Sequence, residues 1–337
     1  MVKRFKSKIK KRQKKTPPSS SVTSIGLLQL KTKSSPHANL AHIEQKIDEA
    51  ALRGAKIICL QELCHTIYFP QYQKSRYFDF AVHTQSLFIR QFQYLAREYA
   101  VVLIVPFFEK KTDVARSVRG HAKRIPMPGE TGVAMTLKSP RRTGYYNSVA
   151  VIDADGQLLG IYRKMHIPDD PYFYEKFYFT PGNLGFKVFQ TRYANIGVLI
   201  CWDQWFPEAA RLASLQGADI LFYPTAIGWH QKTKTKDKSA ELNAWQTIQR
   251  SHAIANGVFV AAVNRVGRED QLTFWGSSFV ADPFGEVIQS AGRHREEIVL
   301  ATCPLSLIRE TRKNWPFWRD RRVDAYQKLN LRLIKST

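Results

Sequence analysis

Three polar residues stand at the ends of apolar runs: Glu62 after Lys56–Leu60, Lys164 closing Leu158–Lys164, and Cys201 after Ala194–Ile200. Together they can do acyl-transfer chemistry. A thiolate attacks a carbonyl carbon, a carboxylate takes the thiol proton, and an ammonium stabilises the developing oxyanion. Singly, each has an ordinary reading. A cysteine after a buried strand is a small core residue, and a lone Glu or Lys at a strand end is solvated. The neighbours of Cys201 favour chemistry. Gly197-Val198-Leu199-Ile200 leads into it, and a helix opens at Phe206-Pro207-Glu208, where Pro207 suits the first turn. This predicts a tight strand-to-helix turn with backbone N–H groups nearby. Such a turn supplies an oxyanion hole and lowers a thiol pKa.

The elements around these residues alternate. Ser24–Leu30 reads as a strand, Leu40–Arg53 as a helix, Lys56–Leu60 as a strand, Leu87–Tyr99 as a helix and Val101–Pro106 as a strand. Asn147–Asp153 and Leu158–Lys164 flank an Asp155-Gly156 hairpin turn. The strand before Cys201, a helix over Pro207–Gln216 and strands at Asp219–Tyr223 and Val258–Val263 continue the pattern, with a helix at Ala240–Ala255 between those two strands. Short strands at Ser277–Ala281 and Ile298–Thr302 complete it. Strand–helix alternation of this kind is the mark of α/β layers. In such layers, chemistry sits at strand ends, in the crevice above the sheet.

The chain has 337 residues, 44% of them hydrophobic, enough for a sizeable core. No apolar run is long enough to span a bilayer, and the basic N-terminus is not followed by a signal-peptide core. The expectation is a cytoplasmic enzyme. Cys59, Cys64, Cys201 and Cys303 are scattered without a C-x-x-C pair, which argues against a zinc site or a disulfide framework. No metal or organic cofactor is expected. The formal charge is +23, and residues 1–15 supply nine Lys/Arg without an acid. Residues 1–22 end in Pro17-Pro18-Ser19-Ser20-Ser21 and read as a disordered basic tail. The tail is either merely solvated or a contact for nucleic acid or another anionic surface. Residues 109–143 hold nine Lys/Arg against three acids, lack a period, and read as a surface insertion at the active-site rim or an assembly interface. The main domain is placed at 23–330, with 331–337 as a C-terminal tail.

Three blocks carry a resemblance. Gln61-Glu62-Leu63, Tyr162-Arg163-Lys164-Met165-His166-Ile167-Pro168 and Cys201-Trp202-Asp203-Gln204-Trp205-Phe206-Pro207-Glu208 resemble, in order and spacing, the signatures of the nitrilase (carbon–nitrogen hydrolase) superfamily. The resemblance covers about residues 23–330. It implies a four-layer α-β-β-α sandwich, Glu62 as base, Lys164 as ammonium and Cys201 as nucleophile. It also implies a second active-site glutamate at Glu175, an oxyanion donor in the Trp202 N–H, and a homodimer or larger homo-oligomer built through helices beside the site. Glu175 could instead be a loop charge paired with Lys176.

Within the superfamily, the run through Arg211, Leu221–Gly228 and Trp318-Arg319-Asp320-Arg321-Arg322 resemble the branch that cleaves N-carbamoylputrescine. Branches acting on N-carbamoyl-D-amino acids carry arginines after the cysteine, where this chain has Gln204 and Trp205. This points to a small linear carbamoyl substrate without a carboxylate. Asp203, Asp169 or Asp170 would meet an ammonium tail, and His166, Thr225 and Ile227 would line the pocket. Trp229-His230-Gln231 departs from that branch, so N-carbamoyl-β-alanine or an ω-amide stays open as substrate. So does a basic binding protein that uses the enzyme core as scaffold.

Overall fold

The computed structural model describes residues 22–112 and 143–331. The segment 1–15, residues 113–142 of the 109–143 stretch, and 332–337 lie outside the described residues.

The first half runs β1 (Val22–Gln29), α1 (Pro36–Leu52), β2 (Ile57–Leu60), α2 (Leu87–Glu98), β3 (Val102–Thr112), β4 (Thr143–Ile152) and β5 (Leu158–Arg163). The second half runs β6 (Val188–Gln190), β7 (Asn195–Val198), α3 (Pro207–Leu215), β8 (Ile220–Thr225), β9 (Gly228–His230), α4 (Thr235–Asn256), β10 (Phe259–Asn264), β11 (Val266–Glu269), β12 (Leu272–Trp275), β13 (Phe279–Ala281), β14 (Val287–Ser290), β15 (Glu297–Pro304) and α5 (Ser306–Asn314). One six-stranded sheet has the order β15-β1-β2-β3-β4-β5, and a second has β14-β13-β10-β8-β7-β6. β1, β2 and β3 are parallel neighbours, as are β7, β8 and β10.

Side-chain alternation decides the layers. On β1 to β3, Ile25, Leu27, Ile57, Cys59, Val102 and Ile104 face inward, into one core with Val198, Phe222, Val260 and Ala262 of the second sheet. The alternate residues Leu28, Ile58, Leu60, Leu103 and Val105 face outward, against Ile43 and Ile47 of α1 and Ile89 and Phe92 of α2. On the far side, Ala209 and Ala213 of α3 and Trp245 of α4 join the inner core from behind the second sheet. The order is helix, sheet, sheet, helix. At Gly197 a Cβ would come 2.8 Å from Leu221 and 3.2 Å from Ala213, so the close approach of β7 to α3 requires glycine. A small third sheet, β11-β12-β9, lies beside the strand ends that carry the site.

Two boundaries differ from the sequence reading. β1 begins at Val22, inside the supposed tail. β3 continues to Thr112 and β4 starts at Thr143, so the ends of the supposed 109–143 insertion are a paired ladder that closes on Thr112↔Thr143. The strand continues past Pro106 because Glu109 is buried and paired: Arg163 Nη2 bonds its Oε1 at 2.5 Å, and Ser148 and Arg163 Nε bond its Oε2 at 2.7 Å.

Candidate active site

Glu62 follows β2, Lys164 follows β5 and Cys201 follows β7, so the expected residues come from strand ends of both sheets. Their side chains meet in the interior. Lys164 Nζ donates to Glu62 Oε1 at 2.8 Å and to Glu175 at 2.7 and 2.9 Å. Lys164, Glu62 and Glu175 are all buried. Glu175 is therefore a partner of Lys164, and the alternative of a loop charge set against Lys176 falls away. Asn147 Nδ2 donates to Glu62 Oε1 at 2.7 Å, and the Tyr68 hydroxyl donates to Glu175 Oε1 at 2.7 Å. The second oxygen of Glu62 is buried without a partner among the described residues. It is the one carboxylate oxygen of the cluster left open for a proton.

Cys201 sits in the left-handed region at φ 43° and opens a short 3-10 helix over Cys201–Trp205. A positive φ at a non-glycine residue is strained and persists only where the surrounding structure holds it. The first N–H groups of a helix have no partner within it, so the Trp202 N–H at this end is suited to an oxyanion. The sulfur lies 4.0 Å from the Ala226 carbonyl oxygen, on the loop after β8. The expected lowering of the thiol pKa is not what this turn produces. Burial pushes the Cys201 thiol well up, and Glu62 and Glu175 push the same way against the pull of Lys164. The resting group is a neutral thiol that needs a base. Burial also raises the Glu175 carboxyl, to about 7, against the downward pull of Lys164. Lys164 is held in its charged form: burial opposes the charge, and Glu175 and Glu62 outweigh it.

Asp203 has a different task from the substrate contact expected of it. It is buried, and both oxygens are taken. Oδ1 accepts from the His166 N–H at 3.0 Å and lies 2.7 Å from His166 Nδ1. Oδ2 accepts from the Ile200 N–H at 2.9 Å and the Tyr162 hydroxyl at 2.7 Å. Tyr162 and His166 flank Lys164, and Ile200 precedes Cys201, so Asp203 ties the turns bearing Lys164 and Cys201 together. His166 stacks on Phe206 at 3.7 Å, a structural contact.

Thr225 is buried, with its hydroxyl 3.0 Å from Tyr223 O and 3.3 Å from Gln204 Oε1. Ile227 is held through its backbone, its N–H and C=O clamped by the Asn264 amide at 3.0 and 2.9 Å. Gln204 is also buried, accepting from Trp245 Nε1 at 2.9 Å. Its side chain belongs to the packing of α4, so the missing arginine there removes no visible anion clamp.

Three contributors escaped the sequence reading: Tyr68, Asn147 and Arg265. Arg265 is fully buried, donates to Glu62 O at 2.9 Å and Leu63 O at 3.2 Å, and pairs with Glu269 at 2.6 Å. It braces the turn where Leu63 takes φ 48°. Tyr68 and Arg265 have no motif spacing that could have disclosed them. Asn147 had one faint signal, as a polar residue opening an apolar strand. Among the described residues, no group of three or more His, Cys, Asp or Glu side chains could hold a metal ion.

The chain is similar to known proteins along most of its length. The chain is 42% identical over 314 residues to an N-carbamoylputrescine amidase of Arabidopsis thaliana, covering 90% of this chain and 94% of that one. It is 39% identical over 310 residues to a citrullinase of Francisella tularensis, covering 90% and 97%. The crystal structure of a carbon–nitrogen hydrolase from Helicobacter pylori matches with a TM-score of 0.81 at 39% identity, covering 93% of this chain and 100% of that one. The family model for carbon-nitrogen hydrolases matches residues 24–313, and the chain belongs to that family.

Proposed function

We propose that the chain hydrolyses N-carbamoylputrescine to putrescine, carbon dioxide and ammonia. The supporting observation is the buried cluster of Glu62, Lys164 and Glu175 beside Cys201, in a chain 42% identical to an N-carbamoylputrescine amidase. The Cys201 proton passes to the open Oε2 of Glu62 as sulfur attacks the carbamoyl carbon. Lys164 and the Trp202 N–H hold the oxyanion. When the tetrahedral adduct collapses, the C–N bond breaks and Glu62 returns the proton to the leaving nitrogen. Water then attacks the S-linked carbonyl, giving one proton to Glu62, and that proton restores the thiol. The carbamate so released breaks down to carbon dioxide and the second nitrogen product.

Glu175 shares the Lys164 ammonium and takes the Tyr68 hydrogen bond, so its role is to position Lys164. Asp169 and Asp170, exposed on the loop from Lys164 to Glu175, are proposed partners for the substrate ammonium. A second reading, citrulline as substrate, is favoured by the 39% identity to a citrullinase. Citrulline presents the same terminal urea, with an ammonium at the same spacing, and adds a carboxylate.

The test is ammonia release from N-carbamoylputrescine, citrulline, N-carbamoyl-β-alanine, an ω-amide and a simple nitrile. The highest kcat/KM is expected with N-carbamoylputrescine. A higher value with citrulline would transfer the assignment, and no turnover of any by fresh reduced protein would sink it. Cys201→Ala should abolish turnover, while Cys59→Ala and Cys64→Ala should keep it.

A further inference from the structure

On the side of the third sheet lies a cavity of about 330 Å³ lined by Lys31, Thr32, Val266, Gly267, Arg268, Thr273, Phe274, Arg293 and His294. Its size falls at the lower end of small-molecule pockets, roughly 300 to 1,000 Å³. Four of its lining side chains are basic and none is acidic. They come from three separate segments: the turn after β1, the β11–β12 hairpin, and the loop between β14 and β15. Among the described residues, none of the four makes an ion pair with a carboxylate. Glu296 stands beside the cavity, accepting from the Lys31 backbone N–H at 2.8 Å, and its side-chain partner is His42 Nε2 at 3.1 Å, not one of the four. Like charges converging on one hollow repel each other, and an anion in the hollow removes that repulsion.

We infer that this cavity binds a tetrahedral oxyanion of the phosphate class, free or carried on a small metabolite. Cations approaching from three segments surround a tetrahedral dianion better than they clamp a planar carboxylate, and the hydroxyls of Thr32 and Thr273 add neutral donors. The buried Val266 and Phe274 form the apolar floor.

The cavity is also joined to the catalytic turn. Gln61 Nε2 donates to the Thr32 hydroxyl at 3.4 Å, and Gln61 directly precedes Glu62. Val266 follows Arg265, the residue that holds the Glu62 carbonyl. The cavity is separate from the Glu62–Lys164–Cys201 cluster and does not depend on which urea is cleaved.

The test is calorimetric titration of the full chain with inorganic phosphate, pyrophosphate and glycerol phosphate, against sodium chloride at matched ionic strength. Saturable binding is expected for a phosphate species and not for chloride. Tighter binding of glycerol phosphate than of inorganic phosphate would identify a metabolite as the source, and the reverse would identify the free ion. Arg268→Gln and Arg293→Gln should each weaken binding roughly tenfold, which is about 1.4 kcal/mol. Both side chains are exposed, so the variants should fold, and unchanged ammonia release would verify this. Binding that chloride reproduces, or that persists unchanged in the double variant, would overturn the inference.

Discussion

At the scale of single residues, the reaction depends on where one proton resides. Cys201 rests as a thiol and Lys164 as an ammonium, and burial raises the Glu175 carboxyl to about 7. The ordinary value for a glutamate is 4.5, so between about 4.5 and about 7 the folded chain binds a proton that the unfolded chain has lost. The corresponding stability is complete below about 4.5 and falls as pH rises through about 7. Glu175→Gln, neutral at every pH, should flatten that part of the curve, measured as denaturation midpoint against pH. An unchanged slope would show that the proton lies elsewhere. The same variant should lower kcat more than it raises KM, because it loosens Lys164 and leaves the pocket in place.

Asp203 makes a second prediction at this scale. Its replacement by alanine strands the Ile200 N–H and the Tyr162 hydroxyl in the interior, at a cost of about 2 to 4 kcal/mol in a urea melt. Turnover should fall with stability, since the turns bearing Lys164 and Cys201 lose their shared tie. A melt within about 0.5 kcal/mol of the parent would contradict the anchoring role.

Elements carry these residues to within hydrogen-bonding distance, and their tolerance differs from the site's. β3 and β4 pair from Leu103↔Ile152 to Thr112↔Thr143, three residues past Glu109, the last buried position of β3. An Asn-Gly turn in place of residues 113–142 suits the two-residue hairpin this register requires. The shortened chain should melt within a few degrees of the parent by circular dichroism. A loss of cooperative unfolding would show that residues 113–142 are needed for the ladder. The sequence disclosed the apolar parts of this ladder and missed its charged end. Glu109 has the appearance of a loop charge until Arg163, far along the chain, is placed beside it. The Cys201 turn was legible because strand, cysteine, Pro207 and helix are contiguous. Arg265 and Tyr68 were not, because what they do is decided by contacts distant in sequence, Tyr68 with Glu175 at 2.7 Å and Arg265 with Glu62 at 2.9 Å. The thiol pKa was misjudged for the same reason: a local turn predicts lowering, while burial is set by the whole packing.

At the scale of the whole molecule, the described residues leave an aromatic cluster of Phe284, Trp315 and Phe317 exposed. Trp315 and Phe317, beyond α5, are 52% and 43% exposed, and Leu212 and Leu215 of α3 and Tyr326 and Leu329 of the C-terminal stretch are exposed as well. Trp315 packs edge-on against Phe284, itself exposed, so the aromatic residues form a patch and are not scattered singly. Large contiguous apolar patches are uncommon on monomers and mark association surfaces. No helix of the described residues is long and apolar enough to cross a membrane. A second copy of the chain is the proposed cover, and a two-fold pairing would bring the same aromatics of both copies together. Native mass spectrometry at micromolar concentration should find a dimer or larger assembly. Trp315→Glu with Phe317→Glu should yield a folded monomer, because a charge at the centre of such a contact is desolvated without a partner. A monomeric parent chain, or an assembly that the double variant leaves intact, would rule this face out as the contact.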